Sequence, residues 1–319
     1  KPYSQEFIWV GDAMIDNETN RIYVDYSTLA VFDACKEKCR LGSIHGYRPT
    51  EGRSAALDFG HAFHAAWEAY YDALAGGWHN PEGEWHFFLP SNPNAPSPLE
   101  IAKAAFLRDL QLSDAQLPVN LESTERRSIE RGLALIEAYL WRWRNEPYEN
   151  ILVNGAPLTE VGFTSYLTTY EGWEVWLFGK IDRIMKNLAT SRPTIFEGKT
   201  TTQALSVFIK HIRPNHQITT YFKGAQEALG LEDLREAVWD CVFISTRQPD
   251  MKRAILDRFW MYGIDIDKDF ARQTTTRSAT DIAEFRIEIE EKALDYCKWL
   301  LGGAHRRWPR SAPTACYTY

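Results

Sequence analysis

The chain has 319 residues, 45% of them hydrophobic, enough for one large domain or two small ones with a sizeable core. A formal net charge of −7 argues against non-specific coating of nucleic acid, so contact with a polyanion would need a local basic surface. No apolar stretch reaches membrane-spanning length, no signal peptide is visible, and five cysteines, an odd number, do not make a disulfide framework; the chain reads as soluble and intracellular.

In chain order, residues 5–26 read as a β-hairpin, FIWVGDAMI then RIYVDY, turning across Asp16-Asn17-Glu18. A short helix over 28–40 follows Ser27, a good N-cap. Residues 54–75 repeat apolar side chains at Ala56, Phe59, Phe63, Ala66, Tyr70 and Leu74, which predicts an amphipathic helix. Gly60, His64 and Glu68, four apart, share another face of it. Gly60 lets another backbone or a substrate come close, and Glu68 reads as structural. On residue type alone His64 fits a packed or solvated histidine, and His61 competes for any ligand role. Residues 76–100 are rich in Gly, Pro, Asn and Ser and read as a long loop, with helices following near 99–112 and 121–145. The block 76–150 reads as a helical insertion on a single α/β domain spanning 1–319.

Strands are predicted near 158–170, 173–186 and 193–198, then a helix, HQITTYFKGAQEALG, ending at Gly230, and a strand over 237–246. A strand near 255–266 and a long helix at 279–301 close the fold. Two of these strands carry charge where a buried strand should have none. One ends in Gly179-Lys180-Ile181-Asp182 and the other in Glu197-Gly198-Lys199. Side chains two apart on a strand share a side, so Glu197 and Lys199 project together. If the strands pair as a hairpin, Asp182 comes next to Glu197. Two such carboxylates repel unless a cation lies between them, and magnesium or manganese prefers oxygen ligands. Such an ion polarises a phosphodiester and lowers the pKa of bound water, while Lys199 holds the attacking water or offsets charge. The triplet fits that reading or a salt-bridged surface hairpin.

Further residues resemble, in order, the PD-(D/E)XK nuclease superfamily and within it the RecB-like exonuclease branch. That branch shows G-x-x-x-H on a helix, matched by Gly60 to His64, and E-x-x-F on a strand, matched by Glu160 to Phe163. It then shows G-x-x-D-x-I, matched by Gly179 to Ile184, and (D/E)-x-K-T, matched by Glu197 to Thr200. A helix with Q-x-x-x-Y follows, matched by Gln217 to Tyr221. The resemblance implies an α/β nuclease core, a mixed central sheet flanked by helices, here with an N-terminal hairpin. It implies His64, Asp182 and Glu197 as metal ligands with the Gly198 carbonyl, and Asp182, Glu197 and Lys199 as the catalytic set. Gln217 and Tyr221 would contact DNA or support the ligands. The activity implied is magnesium- or manganese-dependent hydrolysis of DNA, with one or two ions. The best match is an exonuclease acting on single- or double-stranded linear ends in recombination or end processing, in the cytoplasm of a bacterium or phage-infected host. A recombination partner protein is compatible with that setting, and no membrane is implied. The alternatives are an inactive DNA-end-binding module of the same fold and a structure-specific endonuclease.

Basic candidates for a DNA surface are Arg126, Arg127 and Arg131; Arg142 and Arg144; Lys252 and Arg253; and His305, Arg306, Arg307 and Arg310. Some RecB-like nucleases also hold an iron–sulfur cluster, with one cysteine before the histidine helix and three near the C-terminus. Cys35 and Cys316 stand where two of those would lie. A cluster needs four thiolates and the C-terminal end supplies one, so the set present falls short of it. Cys39 reads as an extra ligand or a buried residue, and Cys241 and Cys297 as packed thiols.

Overall fold

The structure, a computed structural model, describes residues 14–47, 54–79, 85–87, 96–113, 117–119, 126–212, 215–302 and 308–310. It opens on an antiparallel hairpin of β1 (Met14–Asp16) and β2 (Arg21–Val24). Helix α1 (Tyr26–Ala34) is capped by Asp25, whose carboxylate accepts from the Thr28 amide at 2.8 Å. Ser27 therefore lies inside the helix. Both residues are good cap formers, and the carboxylate, which also takes the Thr28 hydroxyl, prevails. Extended Cys35 separates α1 from the single turn α2 (Lys36–Cys39).

Helix α3 (Ala55–Leu74), capped by Ser54, buries Phe59, Phe63, Ala66 and Trp67. Within the stretch read as loop, β3 (Gly77–His79) and β4 (Trp85–Phe87) pair as a small hairpin. Helix α4 (Pro98–Leu112) starts at a capping box between Ser97 and Glu100, and α5 (Ile129–Arg142) starts at Ser128. These helices pack onto α3 around Phe59, Phe63, Phe106 and Leu135. Short strands β5 (Tyr148–Asn150), β6 (Leu152–Val153) and β7 (Ala156–Pro157) lead into long β8 (Thr159–Tyr170), β9 (Trp173–Asn187) and β10 (Pro193–Thr201). Then come α6 (Leu205–Phe208), α7 (His216–Ala228), β11 (Glu236–Phe243), α8 (Met251–Ala254), β12 (Phe270–Thr276) and α9 (Ala279–Leu301).

The strand read near 255–266 is not formed. Asp257 accepts from the Phe259 amide and caps a 3-10 turn over Arg258–Tyr262, which Gly263 ends at φ 64°. The edge strand is β12 instead, whose sequence is rich in Thr.

Among the described residues, the main sheet runs β1-β2-β9-β10-β11-β12, with β5 and β8 pairing the other edge of β9. It is mixed: β9 is antiparallel to β8 and β10 and parallel to β2, and β10 is parallel to β11. One apolar layer joins the sheet to α1, α7 and α9 through Phe32, Ile218, Phe222, Phe285 and Ile289. The other joins it to α3, α4 and α5. A mixed sheet between two helical layers is the α/β class that the sequence implied.

Candidate metal centre

The site lies where β9 changes partners. Its first half pairs with β2 as far as Leu177, and its second half pairs with β10 from Arg183 onward. Beyond Phe196, β10 continues to Thr201 along β11 only, so β9 and β10 part at Asp182 and Glu197. The Gly198 amide, lacking a ladder partner there, donates to Asp182 Oδ2 at 2.7 Å. A side chain thus replaces the missing strand and turns Asp182 toward the gap.

His64, from the middle of α3, brings Nδ1 to 3.3 Å from the same Oδ2. On the other strand, Lys199 Nζ donates to Glu197 Oε1 and to Gln217 Oε1, the latter at 3.4 Å. Gln217 Nε2 in turn donates to the Tyr221 hydroxyl at 2.8 Å. The six side chains singled out from the sequence therefore stand along one line, from α3 across β9 and β10 to α7. Helix α7 is set by its own start: Asn215 caps it, and buried Arg277 clamps it by donating to Asn215 O at 3.2 Å and Thr219 Oγ1 at 2.9 Å.

Glu160 is the residue that sequence reasoning used only as a motif marker. One ligand atom from each of His64, Glu160 and Asp182 lies within 4.8 Å of the other two, and Glu197 stands outside that group. Glu160 has φ 47°, left-handed for a non-glycine, which costs about 1–3 kcal/mol. The β8–β9 ladder pairs Thr159 with Arg183 and Val161 with Ile181 but omits Glu160 and Asp182 between them. The local twist aims Glu160 at the centre, where Lys180 also pairs with it. A left-handed glutamate inside a strand has no signature in sequence.

Charge and burial oppose one another here. Burial, then the nearby Asp182 charge, pushes the Glu197 carboxyl up to about 7. Burial likewise raises Glu160. Burial would lower His64, but the Asp182 carboxylate outweighs it and raises the imidazole. Burial would raise Asp182, yet His64, Lys199 and the Gly198 amide hold it below the usual range. Lys199 is raised because Glu197 overcomes its burial, so its ammonium stays charged. Glu197 Oε2 is buried without a hydrogen-bond partner, with the Tyr221 hydroxyl close to the carboxylate. A buried, unpartnered carboxylate oxygen beside a second carboxylate is a setting that a cation fits. Oxygen donors with one imidazole nitrogen suit magnesium or manganese, so the donor set fits the implied ion.

Other motif residues prove to be packing devices. Phe163 lies opposite Gly179 in the β8–β9 ladder, and a Cβ on Gly179 or Gly224 would come within 2.7 or 2.3 Å of its ring. A Cβ on Gly198 would meet Trp67 at 2.2 Å. The indole fills the space beneath the Gly198 peptide, which is why the position between Glu197 and Lys199 is glycine. Gly60 faces Thr200 Oγ1 at 3.3 Å from an added Cβ, so α3 runs close past the end of β10.

Behind Trp67 lies a buried ionic network that the sequence reading missed. Arg183 pairs with Asp240, which is 0% exposed. Arg272 Nη2 is 3.1 Å from the same Asp240 oxygen and donates to Glu146 Oε2 at 2.8 Å. The Tyr139 hydroxyl donates to Asp240 as well. The Arg183 guanidinium lies over Tyr71 at 4.5 Å and Phe196 at 4.7 Å. The detectable signal was charge at Arg183 and Asp240 within otherwise apolar strands.

Of the basic candidates, Arg131 is buried and donates to Ser245 Oγ and the Gly263 carbonyl, so it supports a loop and offers nothing to a ligand. Arg126 and Arg127 are half-buried. Arg142 lies over Trp143 and Arg144 over Trp141; Lys252, Arg253 and Arg310 are exposed. His305, Arg306, Arg307 and Cys316 lie outside the described residues. Cys35 is buried and disulfide-bonded, while Cys39, Cys241 and Cys297 are buried cysteines outside any disulfide. His61 is exposed on α3. Among the described residues no helix is long and apolar enough to cross a membrane.

The family model described as the PD-(D/E)XK nuclease superfamily matches residues 24–316. No curated protein matches the chain.

Proposed function

The chain belongs to the PD-(D/E)XK nuclease superfamily, and on that premise we propose that it is a magnesium- or manganese-dependent deoxyribonuclease of the RecB-like type, an exonuclease working from linear DNA ends. The observation that carries this reading is the line from His64 through Asp182, Glu197 and Lys199 to Gln217, set in the gap between β9 and β10. The ordered motifs support the RecB-like branch, and recombination or end processing in a bacterial or phage setting follows from that branch alone.

His64, Asp182 and Glu160 would hold the ion, with Glu197 Oε2 as the free oxygen on the opposite strand. The bound ion supplies Lewis-acid polarisation of the scissile phosphate and an acidified water. Asp182 is kept charged by His64, Lys199 and the Gly198 amide, so it is ready to bind a cation at neutral pH. Lys199 stays an ammonium beside Glu197, which makes it a donor and not a base. It can hold the attacking water or donate to a phosphate oxygen as negative charge builds there. Gln217 Oε1 accepts a hydrogen bond from Lys199, and its amide nitrogen donates to Tyr221, so the ammonium is aimed before substrate arrives.

The test is a time course on end-labelled linear and closed circular DNA with magnesium, manganese or EDTA, comparing wild type with Glu197→Ala and Lys199→Ala. The reading expects shortening from ends that needs metal and is lost in both variants. Cleavage of the circle would make it an endonuclease. Metal-independent binding to ends without cutting, on single- and double-stranded substrates alike, would leave the inactive binding module.

A further inference from the structure

A second lysine stands at the mouth of the centre. Lys180 precedes Asp182 by two residues on β9, so both side chains leave the same side of the strand. Its Nζ pairs with Glu160 Oε2, on the carboxylate that shares the group with His64 and Asp182. The two lysines differ in anchoring. Lys199 has a side chain 27% exposed and is held by both Glu197 and Gln217. Lys180 is 64% exposed and reaches Glu160, itself only 15% exposed, from the solvent side. Glu68, one helical turn beyond His64, and Asp182 add their negative fields to the same ammonium.

One monovalent, solvent-facing cation thus serves a carboxylate that its own left-handed backbone already aims at the centre. A divalent ion matches that charge better. A lysine stem reorients easily, and an ion pair this exposed is weak, so the ammonium yields at little cost. Once displaced, it stays at the rim beside the incoming phosphodiester.

We propose that Lys180 is an exchangeable cation of the metal centre, which neutralises Glu160 until a divalent ion takes that carboxylate and then contacts a phosphate of the bound strand. This rests on the metal-dependent reading above. The test titrates manganese into wild type, Lys180→Gln, Lys180→Arg and Asp182→Asn by calorimetry, and measures KM and kcat on linear DNA at saturating manganese. Lys180→Gln should bind manganese about three- to tenfold more tightly than wild type, because the competing charge is gone, and Lys180→Arg should not. The activity lost in Lys180→Gln should fall on KM and not on kcat. Unchanged or weaker manganese binding in Lys180→Gln overturns the exchange, and an unchanged KM overturns the phosphate contact. A different failure, in which wild type and Asp182→Asn bind manganese alike, removes the metal-dependent reading itself.

Discussion

Without metal, Glu197 should make the protein less stable as pH rises. Its carboxyl is 2% exposed, and burial followed by the Asp182 charge lifts it from the ordinary 4.5 to about 7. An acid lifted in the fold holds its proton more tightly folded than unfolded. The stability it contributes is therefore fully present below 4.5 and is lost as pH rises through about 7. At about 1.36 kcal/mol per pH unit, that interval is worth on the order of 3 kcal/mol. Other groups facing the site add to the slope. Glu160 and His64, both held above their ordinary values, lose stability in the same direction. Asp182, held below 3.8, loses its contribution only in acid, outside this window. Raising pH from 5 to 8 in EDTA should lower the melting temperature by about 4–5 °C through Glu197 alone, taking about 2.1 cal/mol/K of unfolding entropy per residue. Glu197→Gln, uncharged throughout, should keep only the part due to His64 and Glu160. Saturating manganese should flatten the wild-type profile, because the ion takes the place of the proton. Scanning calorimetry at half-unit pH steps reads all three curves. A Glu197→Gln profile as steep as wild type, or a wild-type melting temperature that climbs from pH 5 to 8, refutes the reasoning.

Three further outcomes follow from the geometry. Lys199→Ala should lower kcat on linear DNA by about 10²–10³ while manganese binding persists, and a loss under tenfold would deny Lys199 its place in the reaction. Gly198→Ala drives a methyl into the Trp67 ring, 2.2 Å away, and should cost about 1–3 kcal/mol in urea unfolding. It should also weaken manganese binding, because the displaced amide no longer holds Asp182; wild-type stability with wild-type affinity would contradict this. Asp240→Ala leaves Arg183 and Arg272 without their shared buried carboxylate and should destabilise by about 3–5 kcal/mol, which chemical denaturation measures directly.

The helices that reach the site were legible from their periods. The apolar stripe through Phe59 and Phe63 marks α3, and Gln217 and Tyr221, four apart, mark α7. Charge inside apolar runs exposed Asp182, Glu197 and Lys199, since a buried strand keeps such groups only for a reason. What stayed hidden depends on long-range pairing. No local pattern says that β9 leaves β2 at Leu177 and joins β10 at Arg183, although that exchange opens the gap. Glu160 enters the ligand group through a backbone twist, and the Asp240 network joins residues from four elements. The false strand near 255–266 shows the converse: its apolar residues are real, but Asp257 and Gly263 bracket a tight turn that strand propensity does not reveal.

Asp182 and Arg183 are neighbours on β9 with opposite errands, one facing the ligand group and the other buried against Asp240. Strand pairing alone tolerates a slip by one residue; these two side chains do not. Moved one way, β9 would carry a guanidinium into the ligand group, where it repels the ion. Moved the other way, it would bury the Asp182 carboxylate against Asp240. Each charge guards the other's place, so the strand that builds the metal centre has one electrostatically permitted setting.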